Sequence, residues 1–218
     1  MLTKKTNVFL CVISFAGVIS SVQADQFDRS IIDNPYNLNG EINIRPISSF
    51  PDEVKINYID RISQSSALGF LNVDEKIINS LSLGAIESRL LSLKESDYAE
   101  ISWKANTQNT SLQNYKEIGT LIASESSVSR VFSNDSGIVI RLDETRYNLY
   151  GGGVLVPAEL INTQVNGNPA MLLTEKSASG KTIVYLGWGS NDIYYIASTN
   201  ATEEEAKLIL SNLASELP

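Results

Sequence analysis

The fold of this chain is set by residues 160–217, which read LINTQVNGNPAMLLTEKSASGKTIVYLGWGSNDIYYIASTNATEEEAKLILSNLASEL. Within this stretch, Thr182–Trp188 and Ile193–Ala197 are rich in β-branched and aromatic residues, which is typical of strands. The residues that separate them, from Gly189 to Asp192, are a strong turn signal. The pattern therefore predicts an antiparallel hairpin.

An amphipathic helix follows the hairpin. Thr202 and Glu205 have the spacing of a capping box, in which each side chain bonds a free backbone N–H group at the start of the helix. Apolar residues then recur along one stripe: Ala206, Ile209, Leu210, Leu213 and Leu217. Ordering each residue costs about 1–2 kcal/mol of backbone entropy, so this helix is stable only if the stripe is buried. We predict that it packs on one face of the hairpin.

More strand signals precede the hairpin. From Val128 onward they recur at short intervals, and turn signals separate them at Asn134–Gly137, Gly151–Gly153 and Asn166–Pro169. The segment Val154–Val156, between two of these turns, is one of the predicted strands. This spacing predicts an α+β fold, in which an antiparallel β-meander carries the C-terminal helix on one face and a mixed helical N-terminal part is added.

The N-terminal part has weaker patterns. Residues 25–51 are polar and interrupted by prolines, which favours an extended arm or an edge strand. Alternating apolar residues predict a strand at Val54–Ile59 and another at Tyr98–Lys104, whereas looser helical spacing predicts helices at Asn72–Lys94 and Ser111–Ser124. Asn72 and Glu75 could form a capping box for the first of these helices.

The first residues have the pattern of a secretory signal peptide. Lys4 and Lys5 precede an apolar run at Val8–Ile19, and small residues lead to a cleavage site after Ala24. A membrane anchor is the alternative, but the run is shorter than the roughly 20 residues needed to span a bilayer. After the signal peptide, we place a boundary near Ser96 between a mixed N-terminal part and a β-rich C-terminal domain. The predicted organisation is a signal peptide (1–24), an N-terminal extended arm and helical part (25–96), and a β-rich domain with the closing helix (97–218).

Composition limits the compartment and the partners. The 218-residue chain has a single cysteine, Cys11, which lies in the predicted signal peptide, so the mature chain would hold no thiol. Export without cysteine suits a bacterial periplasm or the cell exterior, and we expect a periplasmic or secreted protein. The formal net charge of −8 disfavours binding to nucleic acid. We also expect no stable membrane insertion after signal cleavage.

Several catalytic chemistries are absent from the sequence. The chain has no histidine, which excludes histidine-based triads, and the missing mature cysteine further excludes the usual zinc sites. No lysine has a serine three residues before it, so the Ser-x-x-Lys acylating motif is missing. Ser179–Thr182 resembles the end of a phosphate loop, but Glu175 stands where the first glycine is required. We predict no enzymatic activity, no cofactor and no metal site.

Two candidate sets remain. Asp143 and Glu144 could serve a carboxylate-based hydrolase, but neighbours on a strand point to opposite sides, and a solvated pair beside a turn is the simpler interpretation. Aromatic residues with a polar tip suit interfaces, and the C-terminal part is rich in them. We therefore predict a binding surface formed by Tyr147, Tyr150, Trp188 and Tyr194.

Four segments of the C-terminal part together resemble a known domain. They are Val165–Ala170, Leu186–Trp188, Asp192–Ile196 and Glu203–Leu213. In order they supply a short turn, a strand ending in tryptophan, a strand with central tyrosines, and a closing helix. This pattern resembles a domain of unknown function that occurs at the C-terminus of bacterial extracytoplasmic proteins, some of them anti-sigma regulators. The resemblance implies a sensing or binding module and carries no catalytic residues with it.

The functional expectation follows from these points. We expect an exported, non-enzymatic binding or interaction module, an accessory or sensing protein of the bacterial envelope with a protein partner there. One alternative is a carrier that holds an apolar ligand within a curved sheet. The other is a carboxylate-based hydrolase of cell-wall polymers.

Overall fold

The computed structural model describes residues 10–11, 41–82, 84–85, 102–124, 126–148 and 153–218. Its strands are β1 (Leu10–Cys11), β2 (Ile42–Arg45), β3 (Leu71–Asn72), β4 (Lys116–Ser124), β5 (Ser127–Ser133), β6 (Val139–Arg146), β7 (Gly153–Pro157), β8 (Thr163–Val165), β9 (Asn168–Lys176), β10 (Thr182–Ser190) and β11 (Ile193–Thr199). Its α-helices are α1 (Asp52–Leu68), α2 (Glu75–Asn79) and α3 (Glu203–Glu216). Short 3₁₀ turns occupy Ile47–Ser49, Ser111–Asn114 and Ala158–Leu160.

The predicted hairpin is the centre of the main sheet. β10 and β11 pair antiparallel with Trp188 opposite Tyr195, and the turn between them is formed by Asn191 and Asp192. Both turn residues have positive φ, 47° and 68°. Because consecutive left-handed residues match the twist of the flanking strands, an Asn-Asp pair suits this tight turn. The hairpin prediction is confirmed.

Two antiparallel meanders join beside this hairpin. Along the described chain the main sheet has the order β3-β9-β10-β11-β6-β5-β4, with β8 paired to β9. β9-β10-β11 and β4-β5-β6 each follow the chain, and β6 pairs antiparallel with β11. The α+β class with an antiparallel sheet is therefore confirmed, and the meander prediction holds within each half.

One predicted strand does not belong to the main sheet. β7, which contains Val154–Val156, pairs parallel with β2 and with β1 in a separate small sheet. Ile44 of β2 lies opposite Val156. β1 belongs to the predicted signal peptide, and Leu10 pairs with Gly153. Within the segment predicted as an extended arm or an edge strand, residues 25–51, strand β2 thus lies at the edge of this small sheet.

Helix α3 covers one face of the main sheet, as predicted. Ala206, Leu210, Leu213 and Leu217 are buried in the first core, and Ile209 packs against it half-buried. The predicted capping box is wrong, however: Thr202 is the N-cap residue, but its side chain accepts no capping hydrogen bond within the described region. Burial of the stripe against the sheet, and not a side-chain cap, therefore holds the helix in place.

The opposite face is covered by the N-terminal elements and by β7. The second core combines Phe50, Tyr58 and Ile78 with side chains of β7 and of the main sheet. The predicted strand at Val54–Ile59 is wrong, because these residues lie in α1. Val54 and Tyr58 face the core while Ile56 faces solvent, so the inward face follows a helical period and not alternation.

The structure also differs from other predictions of local secondary structure. α2 begins at Glu75 with Asp74 as its N-cap, whose carboxylate accepts the Lys76 N–H at 2.8 Å, and Asn72 lies in β3. Residues 83 and 86–94 of the helix predicted at Asn72–Lys94 lie outside the described part of the chain. Residues 98–101 of the strand predicted at Tyr98–Lys104 also lie outside it, and Ser102 and Trp103 form a turn. The helix predicted at Ser111–Ser124 is wrong beyond its first turn, because pairing with β5 makes the remainder strand β4.

Candidate functional site

The structure separates the four aromatic residues predicted to form a binding surface. Trp188 is buried beneath α3 and stacks on Tyr195, with 5.0 Å between ring centroids. Tyr194 is buried in the second core, on the other face of the sheet. Tyr147 is half-buried against that same core, and Tyr150 lies outside the described residues. The described members therefore do not form one exposed surface, because their strand positions direct Trp188 and Tyr194 to opposite faces.

The two adjacent acids also face opposite sides, as their sequence positions predicted. Asp143 pairs with Arg141 at 2.8 Å and is partly exposed. Glu144 lies under the α3 side of the sheet and is fully buried, so the interpretation as a solvated pair is wrong for Glu144. The two carboxyls do not converge on a common cleft, which a two-acid glycosidase mechanism requires.

Both oxygens of the Glu144 carboxylate accept charge-assisted or backbone hydrogen bonds. Arg130 contacts Oε2 from Nε at 2.9 Å and from Nη2 at 2.8 Å, and the Ala105 N–H donates to Oε1 at 2.6 Å. Arg130 also donates to the Ala105 carbonyl at 3.0 Å and to the Thr107 hydroxyl at 3.2 Å. Burial raises the pKa of Glu144, and the Arg130 charge opposes that rise. The hydrogen bonds of Glu144 and Arg130 thus hold the loop around Ala105 against the sheet.

A second buried carboxyl lies on the other face of the sheet. Glu175 of β9 is fully buried and accepts a hydrogen bond from the Tyr185 hydroxyl at 2.9 Å. Arg61 of α1 lies 4.0 Å from its other oxygen. Burial raises the pKa of Glu175 and also of Tyr185. Glu175 was not among the candidate residues predicted from the sequence. It continues the buried alternation of Met171 and Leu173, and this was the signal that could have identified it.

A cavity of about 540 Å³ lies at one end of the sheet. It is lined by α2, by the turn between β9 and β10, and by the start of α3. At its rim, Lys181 contacts Glu75 at 3.0 Å and donates to Asn79 at 3.3 Å, while Ser179 donates to Glu75 at 2.7 Å. Hydrogen bonds from Ser179 and Lys181 lower the pKa of Glu75 to about 2. Glu75 and Lys181 are therefore paired with each other at this rim, whereas Glu203, which also lines the cavity, pairs with Lys207 at 2.6 Å.

Within the described ranges, no group of three or more acidic, histidine or cysteine side chains could hold a metal ion. None of the helices in that part of the chain is both long enough and apolar enough to cross a bilayer.

The outer side of α1 carries large apolar side chains in solvent. Ile56 is 71% exposed and Ile59 is 52% exposed, and their spacing places them on one face of the helix. We call these two residues the α1 patch. Asp60 lies on the same side of the helix and is exposed, so the patch has an acidic neighbour. Asp52 is also exposed on this side, but its carboxylate is paired with Lys55 at 3.0 Å. The inner side of the same helix is occupied by core residues such as Tyr58.

The chain was also compared with known proteins. No protein-family model, no curated protein and no solved structure matches it.

Proposed function

We propose that this protein is an exported, non-enzymatic interaction module of the bacterial envelope, and that it binds a protein partner through the α1 patch. The observation that carries the proposal is the exposure of Ile56 and Ile59 on a helix whose other side is packed into a core. The predicted signal peptide supports the compartment. The absence of histidine and of a mature thiol from the sequence supports a binding role over catalysis.

The chemistry of the patch indicates the kind of partner. Covering a large aliphatic side chain is worth about 1.5–3 kcal/mol, so two isoleucines can anchor a contact. A helix face with neighbouring apolar residues fits an apolar groove in another protein. The exposed carboxylate of Asp60 favours a basic side chain at the edge of that groove. The proposed partner is therefore an envelope protein with an apolar groove bordered by lysine or arginine.

Affinity capture from an envelope extract tests this function. The bait is the chain from Asp25 to Pro218, and the variant is Ile56→Asp. Leu208→Asp is the matched control, because Leu208 is 63% exposed on α3, and the substitution makes the same chemical change on the outer side of another helix. Each captured protein is then purified, and its affinity for the three baits is measured by calorimetry.

The expected result is a stoichiometric partner that binds the unchanged chain and the Leu208→Asp variant with similar affinity. Ile56→Asp should weaken its binding at least about tenfold, which corresponds to roughly 1.4 kcal/mol. Equal loss with both variants, or no loss with either, would exclude the α1 patch as the contact surface. Failure to capture any stoichiometric partner in several growth conditions would count against the interaction role itself.

A further inference from the structure

The interface between α1 and the main sheet contains one fully buried carboxyl. Glu175 projects from β9 toward α1, where Arg61 lies 4.0 Å away, and Tyr185 of the neighbouring strand β10 donates its hydroxyl at 2.9 Å. The three side chains thus come from three elements and meet where the helical layer packs on the sheet. Arg61 is 26% exposed at its side chain, so this group reaches the edge of the interface.

Among the described residues, Tyr185 and Arg61 are the groups that act on the Glu175 carboxyl. Arg141 of β6 acts on the neighbouring Tyr185 and is itself paired with Asp143. On the remaining side, strand β3 places Leu71 opposite Glu175. The protonation of Glu175 is therefore governed by its burial, by the hydroxyl and by a single guanidinium.

The carboxylate of Glu175 has fewer hydrogen-bond partners than that of Glu144, the other buried acid. Glu144 receives hydrogen bonds on both oxygens, whereas Oε1 of Glu175 accepts no hydrogen bond from any described residue. An ionised carboxylate that is removed from water needs such bonds to offset its lost hydration. Ionised Glu175 is thus unfavourable while α1 is packed, and it gains hydration if α1 separates from the sheet.

We propose that Glu175, Tyr185 and Arg61 form a pH-responsive latch between α1 and the main sheet: the neutral carboxyl keeps α1 packed, and ionisation of the carboxyl loosens it. The latch operates through a layer interface and needs no bound ligand. It affects the same helix whose outer side carries the α1 patch, but its operation is measurable without any partner.

The direction of the effect follows from proton linkage. Burial raises the pKa of Glu175 above its ordinary value of 4.5, against the smaller opposing effects of Tyr185 and Arg61. A raised folded-state pKa means that the stabilisation is complete below 4.5 and is lost as pH rises through the folded-state value. Opening of α1 should therefore become easier with rising pH in that window, by at most about tenfold per pH unit for one proton.

Hydrogen exchange of the α1 amides, corrected for intrinsic exchange rates, tests the latch between about pH 5 and about pH 8. In the unchanged protein, the protection of these amides should fall as pH rises. In Glu175→Gln, which keeps the shape of the side chain and cannot ionise, protection at neutral pH should be higher and its dependence on pH should disappear. Glu144→Gln is the matched control, because that carboxyl is equally buried on the other face, and it should leave the pH dependence of α1 unchanged.

A second variant covers the case in which Glu175→Gln does not fold. Arg61→Gln removes the guanidinium that stabilises the ionised carboxyl, so protection of α1 should fall further at neutral pH than in the unchanged protein. The proposal is overturned if Glu175→Gln retains the original pH dependence, or if Arg61→Gln leaves the protection of α1 at neutral pH unaltered.

Discussion

At the scale of single residues, the fold accommodates two buried carboxyls in different ways. Glu144 is matched by Arg130 and by the Ala105 backbone, so its charge is compensated inside the protein. Glu175 has one hydroxyl and one more distant guanidinium. The first arrangement fixes a loop on the sheet, and the second leaves a carboxyl whose protonation can respond to pH.

Arg130→Met should lower the free energy of unfolding by about 3–5 kcal/mol at neutral pH, because it leaves Glu144 buried without its counterion. The deficit should shrink in acid, since burial already raises the pKa of Glu144 and the lone carboxyl can become neutral. Urea denaturation at neutral and at acidic pH measures both effects. The double variant Arg130→Met/Glu144→Leu should recover much of the loss, and a deficit that is the same at every pH would contradict the assigned pairing.

Thr202→Ala should change the free energy of unfolding by less than about 0.5 kcal/mol, because the Thr202 hydroxyl makes no capping bond within the described residues. Asp74→Ala at the start of α2 is the comparison, since the Asp74 carboxylate accepts the Lys76 N–H at 2.8 Å. That substitution should cost about 0.5–2 kcal/mol. Thermal denaturation of both variants decides the point, and a larger loss for Thr202→Ala would mean that the capping box does form.

At the scale of elements, the small parallel sheet approaches the main sheet closely at one glycine. A Cβ atom added at Gly189 of β10 would overlap Cδ1 of Ile42 on β2. The absence of a side chain at this position therefore allows β2 and β7 to pack on the face opposite to α3. The same residue looked like part of a turn in the sequence, whereas the strand continues to Ser190.

Gly189→Ala should destabilise the protein by about 1–3 kcal/mol, the usual effect of overpacking a core. Ile42→Val removes the overlapped methyl group and alone should cost about 0.5–1.5 kcal/mol. In the double variant, the loss should be smaller than the sum of the two single losses, because the valine makes room for the new methyl group. Chemical denaturation of the four proteins gives this coupling, and strictly additive losses would show that the two positions are not in contact.

At the scale of the whole molecule, one mostly antiparallel sheet is covered on both faces by different parts of the chain. The first core lies beneath α3, and the second joins residues from both sides of the predicted boundary near Ser96. Strand β1 lies within the predicted signal peptide, yet it pairs with the start of β7. If the signal is removed, β7 loses these two short backbone pairings and keeps its pairing with β2.

Expression of the full chain in a bacterium should yield a mature protein that begins at Asp25, because the small residues before that position match a signal-peptidase site. Intact-mass spectrometry of the periplasmic and cell-associated fractions identifies the new N-terminus. A Lys4→Glu/Lys5→Glu variant is the control, since loss of the basic region should retain the uncleaved chain in the cell. An unchanged protein that keeps residues 1–24 in every fraction would contradict export by this route.

Two of the patterns that depend on neighbours along the chain were predicted correctly. The hairpin around Asn191 and Asp192 and the buried stripe of α3 could both be derived, since turn geometry and helical period are local properties. Short segments were predicted less well. Ile56 fitted the alternation of a strand, but it lies on a helix. A segment this short fits both the strand period and the helix period, and the packing of Val54 and Tyr58 in the second core decides between them.

The sequence by itself determined the α+β class, the central hairpin, the closing helix and the absence of histidine. Tertiary structure decided which strands meet and what each face covers. It placed Trp188 and Tyr194 in different cores, buried Glu144 and Glu175, brought Arg61 to Glu175, and left Ile56 in solvent. These outcomes depend on contacts between residues far apart in the chain, and neither local propensity nor spacing contains that information.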